Sequence, residues 1–135
     1  MAILFATEMT LSTGDVMCLF DAAEFPGPTG QFDSDQIEAM INHANVIVTA
    51  RANGELVGAA LAMANFSSVC FLVAFVVHPD HQGEGVGAEL LRLSRIEGGG
   101  DEVSFVTVST PNAVGFYESA GMEKCENGFI IPRRR

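Results

Sequence analysis

The sequence predicts an α/β protein built around one sheet, and three observations support this fold class. The run VCFLVAFVV at 69–77 is apolar on both sides and is typical of a buried central strand. Asn53-Gly54 separates two β-rich runs and favours a hairpin. Apolar residues recur at helical spacing in four other segments. The predicted order of elements is therefore β-α-α-β-β-β-α-β-α-β.

The first half of the chain predicts a strand, two helices and the hairpin. ILFATEMTL at 3–11 predicts the first strand, and Ser12 begins a Ser-x-x-Asp capping pattern for the first helix. PGPTGQ at 26–31 predicts a break between this helix and a second one. Asp33 is placed to cap the second helix. The segment 46–67 then predicts the two hairpin strands.

The second half alternates strands and helices. After the buried strand, a glycine-containing loop leads into a helix that continues to about Ile96. EVSFVTVST at 102–110 predicts another strand, and Thr110 with Pro111 predicts the start of the last helix, which Gly121 ends. In MEKCENGFIIPRRR at 122–135, an Asn-Gly turn separates two short β-like segments.

Length and composition limit the class of protein. A chain of 135 residues, 48% of them hydrophobic, is expected to form a single domain spanning 1–135. No apolar run is long enough to cross a bilayer, and the first ten residues lack the basic region of a signal peptide. Cys18, Cys70 and Cys125 are widely spaced, as reduced thiols usually are. We expect a soluble, cytoplasmic protein that does not bind membranes.

The charge distribution disfavours nucleic acid as a partner. The formal net charge is −10, and without the three C-terminal arginines residues 1–132 carry 4 basic and 17 acidic residues, a net of −13. Such a body repels phosphate backbones and attracts cations. An amine substrate, including a cationic one, is therefore favoured over DNA or RNA.

The stretch HPDHQGEGVGAELLRL at 78–93 places three glycines, Gly83, Gly85 and Gly87, between the buried strand and a helix. Glycine weakens both strands and helices, so this cluster indicates a ligand. A strand, a glycine turn and a helix N-terminus together form an anion site, because unpaired backbone N–H groups converge there. The loop has no Gly-Lys-Ser/Thr and lacks the spacing of the dinucleotide fingerprint.

Two segments resemble one family. Gln82-Gly83-Glu84-Gly85-Val86-Gly87, preceded by Val77-His78-Pro79, resembles the acetyl-CoA loop of the GNAT superfamily of N-acetyltransferases, Gln/Arg-x-x-Gly-x-Gly/Ala. PNAVGFYESAGM at 111–122 resembles a second segment of that family, with Met122 in place of its final Phe. The matching motifs cover roughly residues 69–122, and the predicted order of elements is also that of the family.

The resemblance implies a fold and an activity. The fold is a GNAT-like mixed, mostly antiparallel sheet flanked by helices, in which the parallel central strands four and five splay apart around the cofactor. The activity is acetyl-CoA-dependent N-acetyl transfer to a primary amine of a small molecule by direct attack on the thioester. The alternative is a non-catalytic acyl-CoA-binding regulatory or interaction module. Many relatives form dimers, so a homodimer is possible.

The resemblance also implies site residues. Tyr117 would be the acid that protonates the departing thiolate, although its spacing from Ala113 and Ala120 equally suits a core aromatic residue. A backbone N–H near Val76 or Val77 would hold the developing oxyanion. The positions implied to bind the cofactor are Phe75, Val76, Val77, Gln82, Gly83, Glu84, Gly85, Val86, Gly87, Ala88 and Asn112.

The residue that accepts the ammonium proton stays open between two candidates. His78 ends the buried strand, and Glu24 lies in the segment that links the first two helices. The Glu84 carboxylate must point away from a loop that holds pyrophosphate. His78 and His81 beside Asp80 are too few for a metal centre, so we predict no metal site.

Overall fold

A computed structural model describes residues 2–27 and 31–134 of the chain. The break at 26–31, predicted from PGPTGQ, lies partly outside the described residues. The strands are β1 (Ile3–Thr7), β2 (Val46–Ala52), β3 (Glu55–Ala64), β4 (Val69–Val77) and β5 (Ser104–Thr107), and the helices are α1 (Thr13–Ala23), α2 (Ser34–His43), α3 (Val86–Glu97) and α4 (Val114–Ser119). Short 3₁₀ turns precede α3, β5 and α4.

The five strands form one sheet in the order β1-β2-β3-β4-β5. Neighbouring strands are antiparallel except β4 and β5, which are parallel. This architecture confirms the predicted fold class. Parallel neighbours need a crossover connection, and here α3 supplies it.

The last predicted strand is wrong, because residues 120–134 contain no strand. A turn is present, but it is centred on Glu126-Asn127 and not on the predicted Asn127-Gly128. However, the segment before it carries charged residues, and Pro132 follows only three apolar residues. So short a hairpin, with few apolar contacts and no donor at the proline, has little to stabilise it. Within the described chain β5 is therefore an edge strand of the sheet, as β1 is at the other side.

Helices cover both faces of the sheet. One apolar cluster, which includes Ile37, Ile41 and Leu61, fills the space between the sheet and α1 with α2. A second cluster, which includes Leu72 and Leu90, lies under α3 and α4. The predicted caps of the first two helices are confirmed, since Ser12 accepts a hydrogen bond from Asp15 N and Asp33 forms a capping box with Gln36.

A β-bulge in β4 sets the geometry of the site. Leu72 pairs with Ala62 and Ala74 pairs with Leu61, so Val73 is an extra residue without a partner on β3. Before the bulge, Leu72 faces the α3 and α4 layer, whereas Ala74 and Val76 after it face the α1 and α2 layer. Because of this one inserted residue, side chains two positions apart on β4 point to opposite faces of the sheet before and after the bulge.

No described helix, within 2–27 and 31–134, combines the length and the apolar character that a membrane span requires.

Candidate active site

A cleft opens where β4 and β5 separate. The parallel pairing runs from Val69 with Ser104 to Leu72 with Thr107 and goes no further along β4. Beyond that point the remaining half of β4 has no neighbour on this side. A cavity of about 530 Å³ lies in the opening, and residues from both helical layers line it. The bulge and the separation coincide at Val73, so one irregularity in β4 accompanies the opening of the sheet.

The free edge of β4 presents backbone groups to this cleft. His78 N donates to Val57 O at 2.8 Å, so the amide of this residue faces β3. In an antiparallel pair the hydrogen-bonding direction alternates, and Val76 therefore also faces β3. Phe75 and Val77 point their N–H groups the other way, into the cleft. Of the two residues considered for the oxyanion, Val77 has the amide on the correct side.

The glycine loop closes one end of the cleft. Gly83 and Gly85 have φ of +81° and +83°, a left-handed conformation that other residues adopt only with strain. Gly85 is the N-cap of α3, so this conformation leads directly into the helix. Glycine is needed at position 87 for a different reason: a Cβ atom there would lie only 3.2 Å from the Phe116 ring. Backbone N–H groups at the start of α3 are thus left accessible beside the cavity.

Side chains of the loop fix its shape. Gln82 Nε2 donates to Val77 O at 3.1 Å and ties the loop to the end of β4. Glu84 Oε1 lies 3.1 Å from His81 Nδ1, and the Glu84 side chain does not line the cavity. The carboxylate is therefore held away from the helix N-terminus, as an anion site requires.

The structure brings together most of the predicted cofactor-binding positions. Those that line the cavity are Phe75, Val76, Val77, Gln82, Gly83, Gly85, Gly87, Ala88 and Asn112. Glu84 does not, and Val86 is buried in the core under α3. The side chains of these two residues therefore do not contribute to the wall of the cavity.

Tyr117 is buried on the face of α4 that meets the sheet and does not itself line the cavity. Burial raises the pKa of Tyr117 above its ordinary value of 10.0, and the neighbouring Thr107 hydroxyl offsets part of that rise. Thr107 Oγ1 in turn donates to Leu72 O at 2.9 Å. Leu72 and Thr107 are the last paired residues of the parallel strands, which places the phenol at the vertex of the cleft.

Sequence reasoning assigned Phe75 to the cofactor site but missed Phe116 and Phe25, which form aromatic walls of the cleft with it. Phe116 stacks on Phe75 with ring centroids 5.4 Å apart, and both line the cavity. Phe25 lines the opposite side and packs on Phe20 at 4.8 Å. The available signal was only that Phe116 precedes Tyr117 on a helix, and residue spacing alone did not show that this ring faces the sheet opening.

The two candidates for the proton acceptor lie in different places. Glu24 lines the main cavity. His78 lines a separate cavity of about 270 Å³, and its Nδ1 accepts a hydrogen bond from Asp80 N at 3.1 Å. Among the described residues Glu24 is the only ionisable side chain that lines the main cavity. It is also a non-glycine residue with φ of +53°, a sparsely populated conformation.

Arg92 and Arg95 on α3 and Lys124 after α4 already have acidic partners. Arg92 pairs with Glu89 at 2.7 Å, Arg95 with Asp101 at 2.6 Å and Lys124 with Glu118 at 3.7 Å. Residues that line the main cavity, as far as the structure describes the chain, include no arginine or lysine. Backbone groups are therefore the main donors that the cleft offers to an anion.

Comparison with known proteins agrees with this geometry. The family described as "Acetyltransferase (GNAT) domain" matches residues 21–130. A GNAT-family acetyltransferase from Streptococcus pneumoniae has 25% identity and a TM-score of 0.76, with 99% of this chain and 100% of that chain covered. A ribosomal-protein-alanine N-acetyltransferase from Brucella melitensis has 16% identity and a TM-score of 0.71 over 98% and 100% of the two chains. Glucosamine-6-phosphate N-acetyltransferase from Arabidopsis thaliana has 13% identity and a TM-score of 0.62 over 98% and 99%. No curated protein sequence matches the chain.

Proposed function

Because the chain belongs to the GNAT acetyltransferase family, we propose that it is an acetyl-CoA-dependent N-acetyltransferase that acts on a primary amine of a small molecule. The observation that best supports this proposal is the cleft, which runs from the glycine loop through the opening between β4 and β5 to Glu24. It brings an anion-binding loop, a row of free backbone groups and one carboxylate into a single cavity.

The chain offers two kinds of contact to acetyl-CoA. Backbone N–H groups of residues 83–88 would bind the pyrophosphate, since they lie at the start of α3 with the positive end of the helix dipole. Phe75 would bind the pantetheine arm through its backbone groups, much as an added strand would, and the N–H of Val77 would remain for the thioester carbonyl. The stacked Phe75 and Phe116 rings supply an apolar wall that excludes water.

Three groups would then serve the acetyl transfer. The amine nitrogen forms a bond to the thioester carbonyl carbon, and the C–S bond breaks. The Val77 N–H would stabilise the negative charge that develops on the carbonyl oxygen. Tyr117 would donate its proton to the departing thiolate, and Glu24 would accept the ammonium proton through water. Because a free amine attacks directly, the chain needs no covalent nucleophile.

An amine acceptor agrees with the cavity and with the neighbours. Glu24 attracts a cation, and Phe25 and Pro26 next to it suit the carbon skeleton of the substrate. The acceptors named for two structural neighbours, an alanine of a ribosomal protein and glucosamine 6-phosphate, both carry primary amines.

Thiol release from acetyl-CoA in the presence of a panel of small amines tests the proposal. We expect turnover with at least one cationic amine. Glu24→Gln should raise KM for that amine by about tenfold or more, because the charge partner is lost, while acetyl-CoA affinity is unchanged. The matched control is Asp21→Asn, which removes an exposed carboxylate from the last turn of the same helix and should leave KM unchanged.

The outcomes separate the two function classes. Acetyl-CoA binding without turnover on any amine would favour the non-catalytic acyl-CoA-binding module. Equal effects of the Glu24 and Asp21 variants would show that the general acidity of the surface, and not Glu24, attracts the acceptor.

A further inference from the structure

The end of the cleft next to α1 has a fixed backbone. We call it the acceptor end, and the residues of α1 and its cap that line the cavity there are Ala23, Glu24, Phe25 and Pro26. Glu24 N donates to Asp21 O at 3.2 Å and Phe25 N donates to Phe20 O at 2.9 Å, which closes the helix as a Schellman motif. Glycine is the usual residue at the left-handed position of this motif, but here Glu24 holds it with φ of +53°. A carboxylate is thus kept at this point of the cavity despite backbone strain.

The acceptor end attracts one cation. Glu24 is the only ionisable side chain, among the described residues, that lines the cavity. It is also the C-cap of α1, so the last carbonyl groups of that helix add the negative end of the helix dipole beside it. The carboxylate and the helix end together suit a single ammonium group.

The rest of the acceptor end is apolar. Ala23, Phe25 and Pro26 bring no charged group to the cavity. Phe25 is held by other rings, since its centroid lies 4.8 Å from that of Phe20 and 6.3 Å from that of Phe32. A wall of packed rings favours a hydrocarbon body over a polar one, because polar groups placed against it lose their hydrogen bonds to water.

Amines that carry a further charged group fit this end poorly. A carboxylate or a phosphate on the substrate would find no lysine or arginine along the described wall of the cavity, and Glu24 would repel it. A second ammonium group would find no second carboxylate there. It would also be repelled by Arg133, whose guanidinium lies over the Phe32 ring, 5.5 Å from its centroid, and so places a positive charge beside the same aromatic wall.

We propose that the acceptor is a primary monoamine with an apolar body, whose ammonium group pairs with Glu24 and whose body packs on Phe25 and Pro26. The inference rests on the proposed acetylation of an amine and narrows its substrate to a molecule with one charge and one apolar group. Polyamines, amino acids and amino sugars are then poor acceptors.

Steady-state kinetics with two matched pairs of amines tests the inference. Putrescine differs from butylamine by a second amino group, and phenylalanine differs from phenethylamine by a carboxylate. We expect kcat/KM to be about tenfold higher for butylamine than for putrescine, and about 100-fold higher for phenethylamine than for phenylalanine, because each added charge has no partner in the cavity. A charged member of either pair that reacts as well as its partner would overturn the inference.

Two arginine variants test whether the position of the tail charge matters. Arg133→Gln should raise kcat/KM for putrescine relative to butylamine by about threefold, since the nearby like charge is removed. Arg134→Gln is the matched control, because it removes the same charge from the next residue and should leave this ratio unchanged. Equal changes in both variants would contradict the role given to Arg133.

The outcomes distinguish this inference from the proposed function. Binding of acetyl-CoA without turnover of any amine would refute the proposed acetylation and the inference with it. Turnover that is confined to polyamines, amino acids or amino sugars in a wider panel would leave the proposed acetylation standing and overturn the inference alone.

Discussion

Tyr117 combines two properties that acid catalysis at this cleft would need. Its hydroxyl keeps its proton over the physiological range, because burial raises the pKa. It also lies at the vertex of β4 and β5, beside Thr107, which is itself hydrogen-bonded to Leu72. The packing role suggested by its helical spacing is equally real, since its ring lies 6.0 Å from that of Phe75. Tyr117 is thus a core aromatic residue whose hydroxyl lies near the point where the two strands separate.

Tyr117→Phe should separate these two roles. The ring remains, so we expect a loss of stability of no more than about 1 kcal/mol, from the lost contact of the hydroxyl with the Thr107 side chain. The rate of acetyl transfer should fall about 100-fold while acetyl-CoA affinity is unchanged, because the acid is missing. Steady-state kinetics beside calorimetric titration checks both. An unchanged rate would remove Tyr117 from the reaction.

The alkaline titration of Tyr117 can be observed directly. The chain has one tyrosine and no tryptophan, so tyrosinate absorbance reports this residue alone. A pKa that folding raises means that stabilisation is complete below pH 10.0 and is lost as the pH rises through the folded-state value. The absorbance midpoint should therefore lie above 10.0 in the folded protein and return toward 10.0 in denaturant. A midpoint at or below 10.0 in the folded state would contradict the buried position.

At the scale of elements, a cluster of polar side chains joins the end of β1 to β2. Glu8, just after β1, accepts hydrogen bonds from Arg51 Nε at 3.1 Å and from the Thr49 hydroxyl, both on β2. Burial opposes ionisation of Glu8, but the bonds from Arg51 and Thr49 outweigh it, so the pKa of Glu8 is lowered from 4.5. The carboxylate thereby holds an edge strand in register.

Glu8→Gln should destabilise the fold at neutral pH by about 1 kcal/mol, since the charge-assisted hydrogen bonds are weakened. Because the folded-state pKa is lowered, this contribution is present above pH 4.5 and disappears as the pH falls through the folded-state value. Denaturant unfolding at pH 7 and pH 3.5 measures the difference. Glu97→Gln, at an exposed position in the last turn of α3, is the control and should cost nothing. Equal losses for Glu8→Gln at the two pH values would contradict the account.

The elements also show how far the sequence could lead. Caps, the Asn53-Gly54 turn and the glycine loop act over a few residues, so Ser12, Asp33 and Gly85 could be read from local patterns. The bulge at Val73 could not, because it depends on pairing with Ala62 and Leu61, which lie far along the chain. The same limit applies to Glu24 and Phe116, which are far apart in the sequence and line the same cavity only in the folded chain. It also applies to residues 120–134, where the predicted β-like segment forms no strand.

At the scale of the whole molecule, the negative net charge of the chain opposes the binding of an anionic ligand. The chain is strongly acidic, and acetyl-CoA carries several phosphate charges. Arg92, Arg95 and Lys124 are paired with carboxylates, so they do little to offset this repulsion. The proposed site therefore depends on the backbone N–H groups at the start of α3 and on the left-handed conformation that directs them. Affinity for acetyl-CoA should be correspondingly sensitive to one glycine.

The most direct test is the dissociation constant of acetyl-CoA, measured by calorimetric titration for the wild type, Gly85→Ala and Gly54→Ala. Gly54 in the β2–β3 turn has φ of +84°, nearly that of Gly85 at +83°, and a Cβ atom meets open space at both positions. Both variants should thus lose a similar stability, about 1–2 kcal/mol. We predict that the wild type binds with a micromolar-range constant, that Gly85→Ala weakens binding about tenfold or more, and that Gly54→Ala binds like the wild type. No binding by the wild type, or an equal loss in both variants, would contradict the assignment of the cleft as the acetyl-CoA site.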